Sequence, residues 1–240
     1  MVKIDTKMLL KGAENVDLLK NAKTVTRCAM NIHILKIISH KIHETNWDPL
    51  SKQLIWTAST VSFYSSCRMG EILSENKSYF DPKTTLKWEN VHFQENNEII
   101  VQVPFTKTTG MRGAFINMFP IDNNTCPVAA VKELCEMCKK RGFFEEKKPV
   151  FRFHSGIFLT IKTMNEILEK LLKELNTGST KITCHSFRAA IPSAIAAHPD
   201  KVTVQEVKDW GKWRSDSYKK YTRQDREKDR VLFYKTLNLL

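Results

Sequence analysis

Apolar positions along the first half of the chain recur at helical spacing and then change to a strand pattern. Apolar residues spaced three and four apart over 26–43 predict an amphipathic helix, and the largely apolar stretch over 51–66 predicts a buried one. A short helix is predicted to begin near Met69. The segments TLKWENVHFQ, EIIVQVPF and RGAFINMFPI are rich in β-branched and aromatic residues and are separated by turn residues. They predict a three-stranded antiparallel sheet over about 85–120.

The second half of the chain returns to helical spacing. Pro127 suits the first position of a helix, which we predict to run to about Arg141. The later predicted helices and the terminal amphipathic segment cover about 163–175, 184–198, 203–210, 215–222 and 225–238. Helices, a small sheet and helices again predict an α+β fold, mostly α.

Composition narrows the class of partner. The chain has 240 residues and 42% hydrophobic content, enough for a core in one domain or one domain with an appendage. Its 38 Lys and Arg against 26 Asp and Glu give a net charge of +12, which suits nucleic acid, although a merely basic protein is the plainer alternative. The apolar runs are too short to cross a bilayer, and the N-terminus lacks a signal-peptide pattern. We therefore expect an intracellular protein with no membrane partner.

The six cysteines are sparse in a chain of this length, so we expect reduced thiols and no disulfide scaffold. Cys135 and Cys138 have the spacing of one half of a zinc site, with Cys126 and His154 as further candidate ligands. The pair lies within a predicted helix, and no second pair has suitable spacing. Helix packing is therefore the preferred interpretation, and we predict no metal.

Two short motifs carry residues that suit phosphate chemistry. In CHSFRAA, His185 and Arg188 lie three residues apart, so on a helix they share a face. Arginine offers a planar fork of donors to a phosphoryl oxygen, and histidine accepts or donates a proton near neutral pH. Taken alone, however, this motif is more simply a surface histidine beside a surface arginine. In SSCRMGEIL, Arg68 and Glu71 lie between two predicted helices. They form either an ion pair that caps the helix or a second phosphate-binding guanidinium supported by a carboxylate.

Two further motifs present a lysine and a pair of tyrosines. Lys107 lies in VPFTKTTGMRGAF, in the connection between two strands, where it serves either solubility or delivery of a proton into a groove. In GKWRSDSYKKYTR, Tyr218 and Tyr221 lie within a basic, polar stretch rather than among apolar neighbours. One of them is therefore a candidate for a role that uses its oxygen, and spacing alone does not choose between them.

Together these motifs resemble the tyrosine recombinases, the phage-integrase-like DNA strand-transfer enzymes. That family carries, in order, an arginine after a helix, a lysine on a β-hairpin, a His-x-x-Arg pair, a later His or Trp, and a tyrosine nucleophile. The matching positions are Arg68, Lys107, His185, Arg188, Lys212–Trp213 and Tyr221. The resemblance covers about residues 26–230. Its last motif, of the form G-[KR]-W-x-S-D-x-[YF]-x-x-Y, and the stretch SKQLIWTASTVSFYSSCRMGEIL look most like the Crypton group of eukaryotic DNA transposons.

The resemblance implies a role for each matched residue. Arg68, with Glu71 supporting it, and Arg188 would clamp the non-bridging phosphate oxygens. His185 would accept or steer the tyrosine proton or hydrogen-bond the phosphate, and Lys107 would protonate the departing 5′ oxygen.

In the last motif, the resemblance implies that Tyr221 is the nucleophile and that Tyr218 packs through its ring. Many relatives have histidine at the position of Lys212. Either Lys212 donates to the phosphate in its place, or Trp213 packs against the tyrosine segment and donates its indole N–H, which we favour.

The resemblance also implies partners and domain organisation. It implies cleavage and rejoining of double-stranded DNA, at element ends and target, through a 3′-phosphotyrosyl link, with no cofactor, in the nucleus. We expect a homotetramer on DNA and a monomer without it. Residues 1–25 are a lead-in or linker, 26–240 form the catalytic domain, and 225–240 form a helix that docks on a neighbouring protomer or on its own domain. The expected DNA-contacting residues are Arg112, Arg214, Lys219, Lys220 and Arg223.

Two other functions share these features. A domesticated recombinase that binds DNA without cleaving it would keep the fold, although loss of Arg68, Arg188 or Tyr221 would be its sign and all three are present. An enzyme similar to type IB topoisomerases would use the same chemistry to relax supercoils without pairing two sites.

Overall fold

The computed structural model describes residues 26–27, 30–107, 109–175 and 180–188, with the isolated residues Ala190, Glu206 and Leu237. In chain order the elements are β1 (Thr26–Arg27), α1 (Ile32–Glu44), α2 (Pro49–Ser65), α3 (Met69–Ile72), a 3-10 turn (Trp88–Asn90), β2 (Val91–Phe93), β3 (Ile99–Val103), β4 (Ala114–Met118), α4 (Pro127–Lys140), α5 (Ile161–Leu171), β5 (Thr180–Lys181) and α6 (Cys184–Arg188). The predicted α+β fold, mostly α with a small three-stranded sheet, is confirmed.

Several predictions fall outside the described residues. They are the lead-in over 1–25 and most of the predicted helices over 184–198, 203–210, 215–222 and 225–238. Glu206 and Leu237 are described as helical, and Leu237 packs against the core of its own chain.

The first helix begins later than its periodicity predicts. Helix α1 begins at Ile32 rather than at 26, because Asn31 caps it and accepts a hydrogen bond from the Ile34 N–H at 2.9 Å. Upstream, β1 pairs in parallel with β5, with Thr26 opposite Thr180. This two-stranded sheet was not predicted, because a strand of two residues has no periodicity to detect.

Helix α2 is the centre of the core. It is buried on nearly all sides and packs against α1, α4 and α6. Two of its buried polar side chains bond to a neighbouring helix: Gln53 Nε2 and Thr57 Oγ1 both donate to the Ala130 carbonyl of α4, at 2.9 and 3.0 Å. Leu54 and Phe63 are fully buried along the same helix. The elements that carry the candidate residues are arranged around α2.

The three-stranded sheet has the order β2-β3-β4 and is antiparallel. Val101 lies opposite Val91 on one side and Ile116 on the other, and Val103 lies opposite Ala114. Ile99, Val101 and Val103 are buried, whereas Gln102 is exposed, so one face covers the core. Strand β4 packs against α2, which brings the β3–β4 connection towards the end of that helix.

The cysteines of α4 belong to the core. Cys135 and Cys138 are buried, and the Cys126 Sγ caps the helix by accepting from the Ala129 N–H at 3.4 Å. In the described ranges, no three His, Cys, Asp or Glu side chains cluster as metal ligands would. Within the same part of the chain, every helix is too short or too polar to span a membrane.

The N-cap of α2 tests how the central helix begins. Asp48 Oδ1 accepts hydrogen bonds from the N–H groups of Leu50, at 3.0 Å, and Ser51, at 3.2 Å. Burial tends to raise the pKa of this carboxyl, but the hydrogen bonds from Ser51 and Leu50 and the charge of Arg141 outweigh it and lower the pKa. We expect Asp48→Ala to lower the free energy of unfolding by about 1 kcal/mol at pH 7, measured by denaturant unfolding.

The pH dependence of this loss follows from the sign of the pKa shift. Because the pKa of Asp48 is lowered in the folded state, the carboxylate stabilises the fold fully above the unfolded-state pKa of about 4. This contribution is lost as the pH falls from there through the folded-state pKa. The difference between wild type and Asp48→Ala should therefore shrink below about pH 4. Asp48→Asn keeps a capping oxygen and should lose less at pH 7. Equal losses for both variants would contradict the capping role.

Candidate functional site

A sharp turn joins α2 to α3 and places Arg68 at the start of α3. Helix α2 ends at Ser65, and Ser66 then adopts a left-handed backbone conformation, with φ 50° and ψ 22°. Ser66 and Cys67 are buried, whereas the side chain of Arg68 is 37% exposed. The chain thus passes within this turn from buried residues to the partly exposed guanidinium of Arg68.

The carboxylate of Glu71 connects this turn to the β3–β4 hairpin. Its Oε2 accepts from the Arg68 backbone N–H at 3.2 Å, and its Oε1 accepts from Arg68 Nη1 at 3.1 Å. The same Oε1 accepts from the Lys107 backbone N–H at 3.2 Å. Only 11% of the Glu71 side chain is exposed, so these bonds offset the cost of removing a carboxylate from water.

Arg188 reaches the same turn from α6. Its Nη1 donates to the Ser66 carbonyl at 3.0 Å. Helix α6 is held in place by Met30, whose N–H donates to the Ser186 carbonyl at 3.0 Å, and by Asn165, whose Oδ1 accepts from the Cys184 N–H at 2.9 Å. Residues distant in sequence thus bring Arg188 to the α2–α3 turn.

The guanidinium of Arg68 is close enough to that of Arg188 for its charge to lower the pKa of Arg188. Burial lowers the pKa of Arg188, the charge of Arg68 lowers it further, and Glu71 and Cys67 act in the opposite direction. Arginine remains protonated at neutral pH despite such a shift. Holding two cations together is unfavourable, and an anion between them reduces that repulsion. The arrangement therefore suits the paired non-bridging oxygens of a phosphodiester.

The buried thiol beside these arginines is unsuited to nucleophilic chemistry. Burial raises the pKa of Cys67 to about 11, although the hydrogen bond with Ser65 and the charge of Arg188 oppose the rise. The thiol is therefore protonated at neutral pH, and only the thiolate is a strong nucleophile. Cys67 contributes to packing at the turn.

The hairpin that carries Lys107 is tied down along its backbone. Thr106 and Gly110 exchange backbone hydrogen bonds at 3.2 and 2.8 Å. Thr109 donates its N–H to Thr106 Oγ1 at 3.0 Å and its Oγ1 hydroxyl to the Gly113 carbonyl at 2.6 Å. Lys107 is exposed, and its backbone N–H is held by the Glu71 carboxylate. Arg112 is exposed in the same connection.

His185 lies on α6, one turn before Arg188, and is exposed. Its backbone N–H donates to Thr183 Oγ1 at 3.3 Å, which fixes the start of the helix. The structure thus places Arg68, Glu71 and Arg188 around one turn, with the Lys107 backbone attached to it and His185 on the same helix as Arg188.

The remaining predicted site residues lie outside the described residues, and their roles stay predictions. They are Lys212, Trp213, Arg214, Lys219, Lys220, Tyr221 and Arg223. Sequence reasoning also missed contributors that the structure describes. Ser66 acts through its carbonyl and Asn165 through a long-range cap, so neither has a local motif.

Comparison with known proteins identifies the fold. Neither a protein-family model nor a curated protein matches the chain. Among solved structures, the XerH site-specific recombinase bound to its difH substrate, a pre-cleavage complex, is similar at 13% identity and a TM-score of 0.53, over 85% of this chain and 52% of that one. The complex of FLP recombinase with a Holliday junction is similar at 14% identity and a TM-score of 0.50, over 93% and 56%.

The chain therefore spans about half the length of the solved structures it matches. At this level of identity the similarity concerns the fold, which is that of a tyrosine recombinase catalytic domain.

The Glu71 carboxylate gives a direct test of how the turn and the hairpin are connected. We expect Glu71→Ala to lower the free energy of unfolding by about 2 kcal/mol, because the Arg68 guanidinium and the backbone N–H groups of Arg68 and Lys107 lose their acceptor. Hydrogen exchange at the Lys107 amide should accelerate in the same variant. Glu71→Gln keeps one acceptor oxygen, so its free energy of unfolding and its exchange rate at the Lys107 amide should lie between those of Glu71→Ala and wild type. An unchanged Lys107 amide in Glu71→Ala would contradict the connection.

Two glycines of the hairpin form a matched pair for testing its geometry. Gly113 has φ +63°, and a Cβ there would lie 2.1 Å from the Val103 carbonyl oxygen. Gly110 has φ +61°, but a Cβ there would meet nothing within 4 Å. We expect Gly110→Ala to cost only the left-handed strain of about 1–2 kcal/mol, and Gly113→Ala to cost clearly more in denaturant unfolding. Equal costs would mean that the Gly113 backbone does not need this close approach.

Proposed function

We propose that this chain cleaves and rejoins DNA at specific sites through a 3′-phosphotyrosyl intermediate, with Tyr221 as the nucleophile. The observation that carries the proposal is the pairing of Arg68 and Arg188 at the α2–α3 turn, close enough for one charge to shift the other's pKa. A fold shared with site-specific recombinases supports the same reaction class.

The chemistry assigns one task to each residue. The Tyr221 oxygen attacks the phosphorus, a bond from phosphorus to that oxygen forms, and the bond to the 5′ oxygen breaks. A phenol has a pKa of about 10, so the Tyr221 hydroxyl is protonated at neutral pH and a base must accept its proton. We assign this role to His185. Lys107 gives a proton to the departing 5′ oxygen. A 5′ hydroxyl later reverses these steps, and rejoining requires no ATP because the ester keeps the energy of the bond.

The two arginines stabilise the charge that develops on the phosphoryl oxygens. Each guanidinium offers parallel donors in fixed geometry, which match two non-bridging oxygens. Removal of one such preorganised donor commonly lowers a rate by about 10²–10³. Glu71 keeps Arg68 in position and holds the Lys107 backbone at the same turn. We therefore assign charge stabilisation to these side chains and propose no metal and no other cofactor.

Binding to the duplex relies on the basic excess of the chain. With a net charge of +12, we expect contacts to backbone phosphates and a steep loss of affinity with salt. Arg112 is exposed in the same hairpin connection as Lys107, and we assign it a contact to the DNA backbone near the cleaved phosphate. The other proposed contacts are Arg214, Lys219, Lys220 and Arg223.

The proposed subgroup of recombinases rests on two sequence motifs. The SKQLIWTASTVSFYSSCRMGEIL stretch and the GKWRSDSYKKY form support recombination or integration of a mobile element of the Crypton group, in the nucleus. A homotetramer on two DNA sites is the assembly that strand exchange requires. Trp213, or Lys212 in its place, completes the phosphate site beside Tyr221.

Covalent trapping tests the proposed nucleophile. The protein is first used to select duplexes from a randomised pool, and a selected site is then nicked so that cleavage releases a short fragment and traps the intermediate. We expect a shifted protein–DNA band on a denaturing gel. Tyr221→Phe should abolish the band because the attacking oxygen is missing, whereas Tyr218→Phe, the matched control three residues away, should keep it.

Each other result selects a different account. Loss of the band in Tyr218→Phe alone would move the nucleophile to Tyr218. Selection of a DNA site without any covalent band would favour a DNA-binding protein that has lost catalysis. A band with relaxation of supercoils but no exchange between two sites would favour a topoisomerase-like enzyme.

A further inference from the structure

Ser66 adopts a backbone conformation that residues other than glycine rarely adopt. Its φ of 50° lies in the left-handed region, and the residue is fully buried. Asn97 is the other non-glycine residue with a positive φ in the described ranges, and asparagine tolerates this region better than serine does. Such strain persists only where surrounding contacts hold it in place.

The Ser66 side chain does not account for the conformation. Its hydroxyl is buried and finds no hydrogen-bond partner among the described residues. A buried hydroxyl without a partner is unfavourable, so the side chain does not stabilise the turn. The backbone does make a specific contact, because the Ser66 carbonyl accepts from Arg188 Nη1 at 3.0 Å.

The same backbone turn also directs Arg68. The left-handed residue ends α2 and reverses the chain, so that α3 begins directly after Arg68. The Arg68 N–H and guanidinium then both reach Glu71. A single residue therefore positions one guanidinium through its carbonyl and the other through the direction of the chain.

We infer that Ser66 is a positioning residue, whose left-handed backbone sets the relative placement of Arg68 and Arg188 around one bound phosphate group. The scissile phosphodiester as the ligand rests on the function proposed above. The link between Ser66 and the two arginines does not rest on that function, because it can be measured through the binding of any phosphate anion.

Three substitutions separate backbone geometry from general packing. Ser66→Gly adopts a positive φ without strain and is the conservative variant. Ser66→Val introduces a β-branched side chain, for which this region is a genuine outlier. Ser62→Val makes the same chemical change at a buried position one turn earlier, where the backbone of α2 is helical, and is the matched control for packing. If Ser66→Val does not fold, Ser66→Thr applies the same backbone constraint with a smaller change.

The first measurement uses inorganic phosphate as the probe and needs no DNA. The thermal unfolding midpoint is followed against phosphate concentration for each folded variant. We expect wild type, Ser66→Gly and Ser62→Val to be stabilised at similar concentrations. Ser66→Val and Arg188→Ala should bind phosphate about tenfold more weakly, as expected for a lost hydrogen bond between charged groups. Unchanged phosphate binding by folded Ser66→Val would overturn the inference.

The second measurement asks whether Ser66 acts through Arg188 in cleavage. On saturating DNA, Ser66→Val should lower the single-turnover cleavage rate about tenfold while DNA affinity stays unchanged. In an Arg188→Ala background it should lower the rate little further, because the contact is already gone. Independent, multiplicative effects would overturn the inference. If wild type shows the expected phosphate pattern but never cleaves DNA, the proposed function fails and the role of Ser66 stands.

Discussion

The rest of the site depends on the hydrogen bonds that the Glu71 carboxylate accepts. It is almost enclosed, and it accepts from the backbone and guanidinium of Arg68 and from the backbone of Lys107. Without this acceptor the two N–H groups and the guanidinium would lack a shared partner at the helix junction. One side chain thus holds Arg68, which we propose binds phosphate, and the backbone of Lys107 to the same turn.

The core makes this arrangement possible. Helix α2 is buried on nearly all sides, so the position of its C-terminal end is fixed. The turn at Ser66 follows directly and is therefore fixed as well. Arg188 arrives on α6, which packs against the same helix, while strand β4 brings the hairpin from the other direction. A site for a transferring phosphoryl group needs donors that are placed before the reaction begins, and a rigid helix end provides such placement.

The sequence predicted some parts of this structure and not others, for physical reasons. The buried helix α2, helix α4 and the sheet have strong periodicity or composition, and Arg68, Lys107, His185 and Arg188 were found because they occur in a known order. Strands β1 and β5 have two residues each, and α1 begins late because of the Asn31 cap, so periodicity could not place them. Ser66 and Asn165 contribute a carbonyl and a long-range cap, which no local pattern encodes.

The central claim is that Arg68 and Arg188 serve one phosphate by neutralising its charge. The most direct measurement replaces the scissile phosphate of the selected DNA with an uncharged methylphosphonate and compares cleavage by wild type, Arg68→Ala and Arg188→Ala. We expect both variants, which are slowed about 10²–10³-fold on normal DNA, to recover much of their cleavage, because the charge that each arginine offsets is gone. Cleavage that stays lost in both variants on the uncharged substrate would contradict the claim.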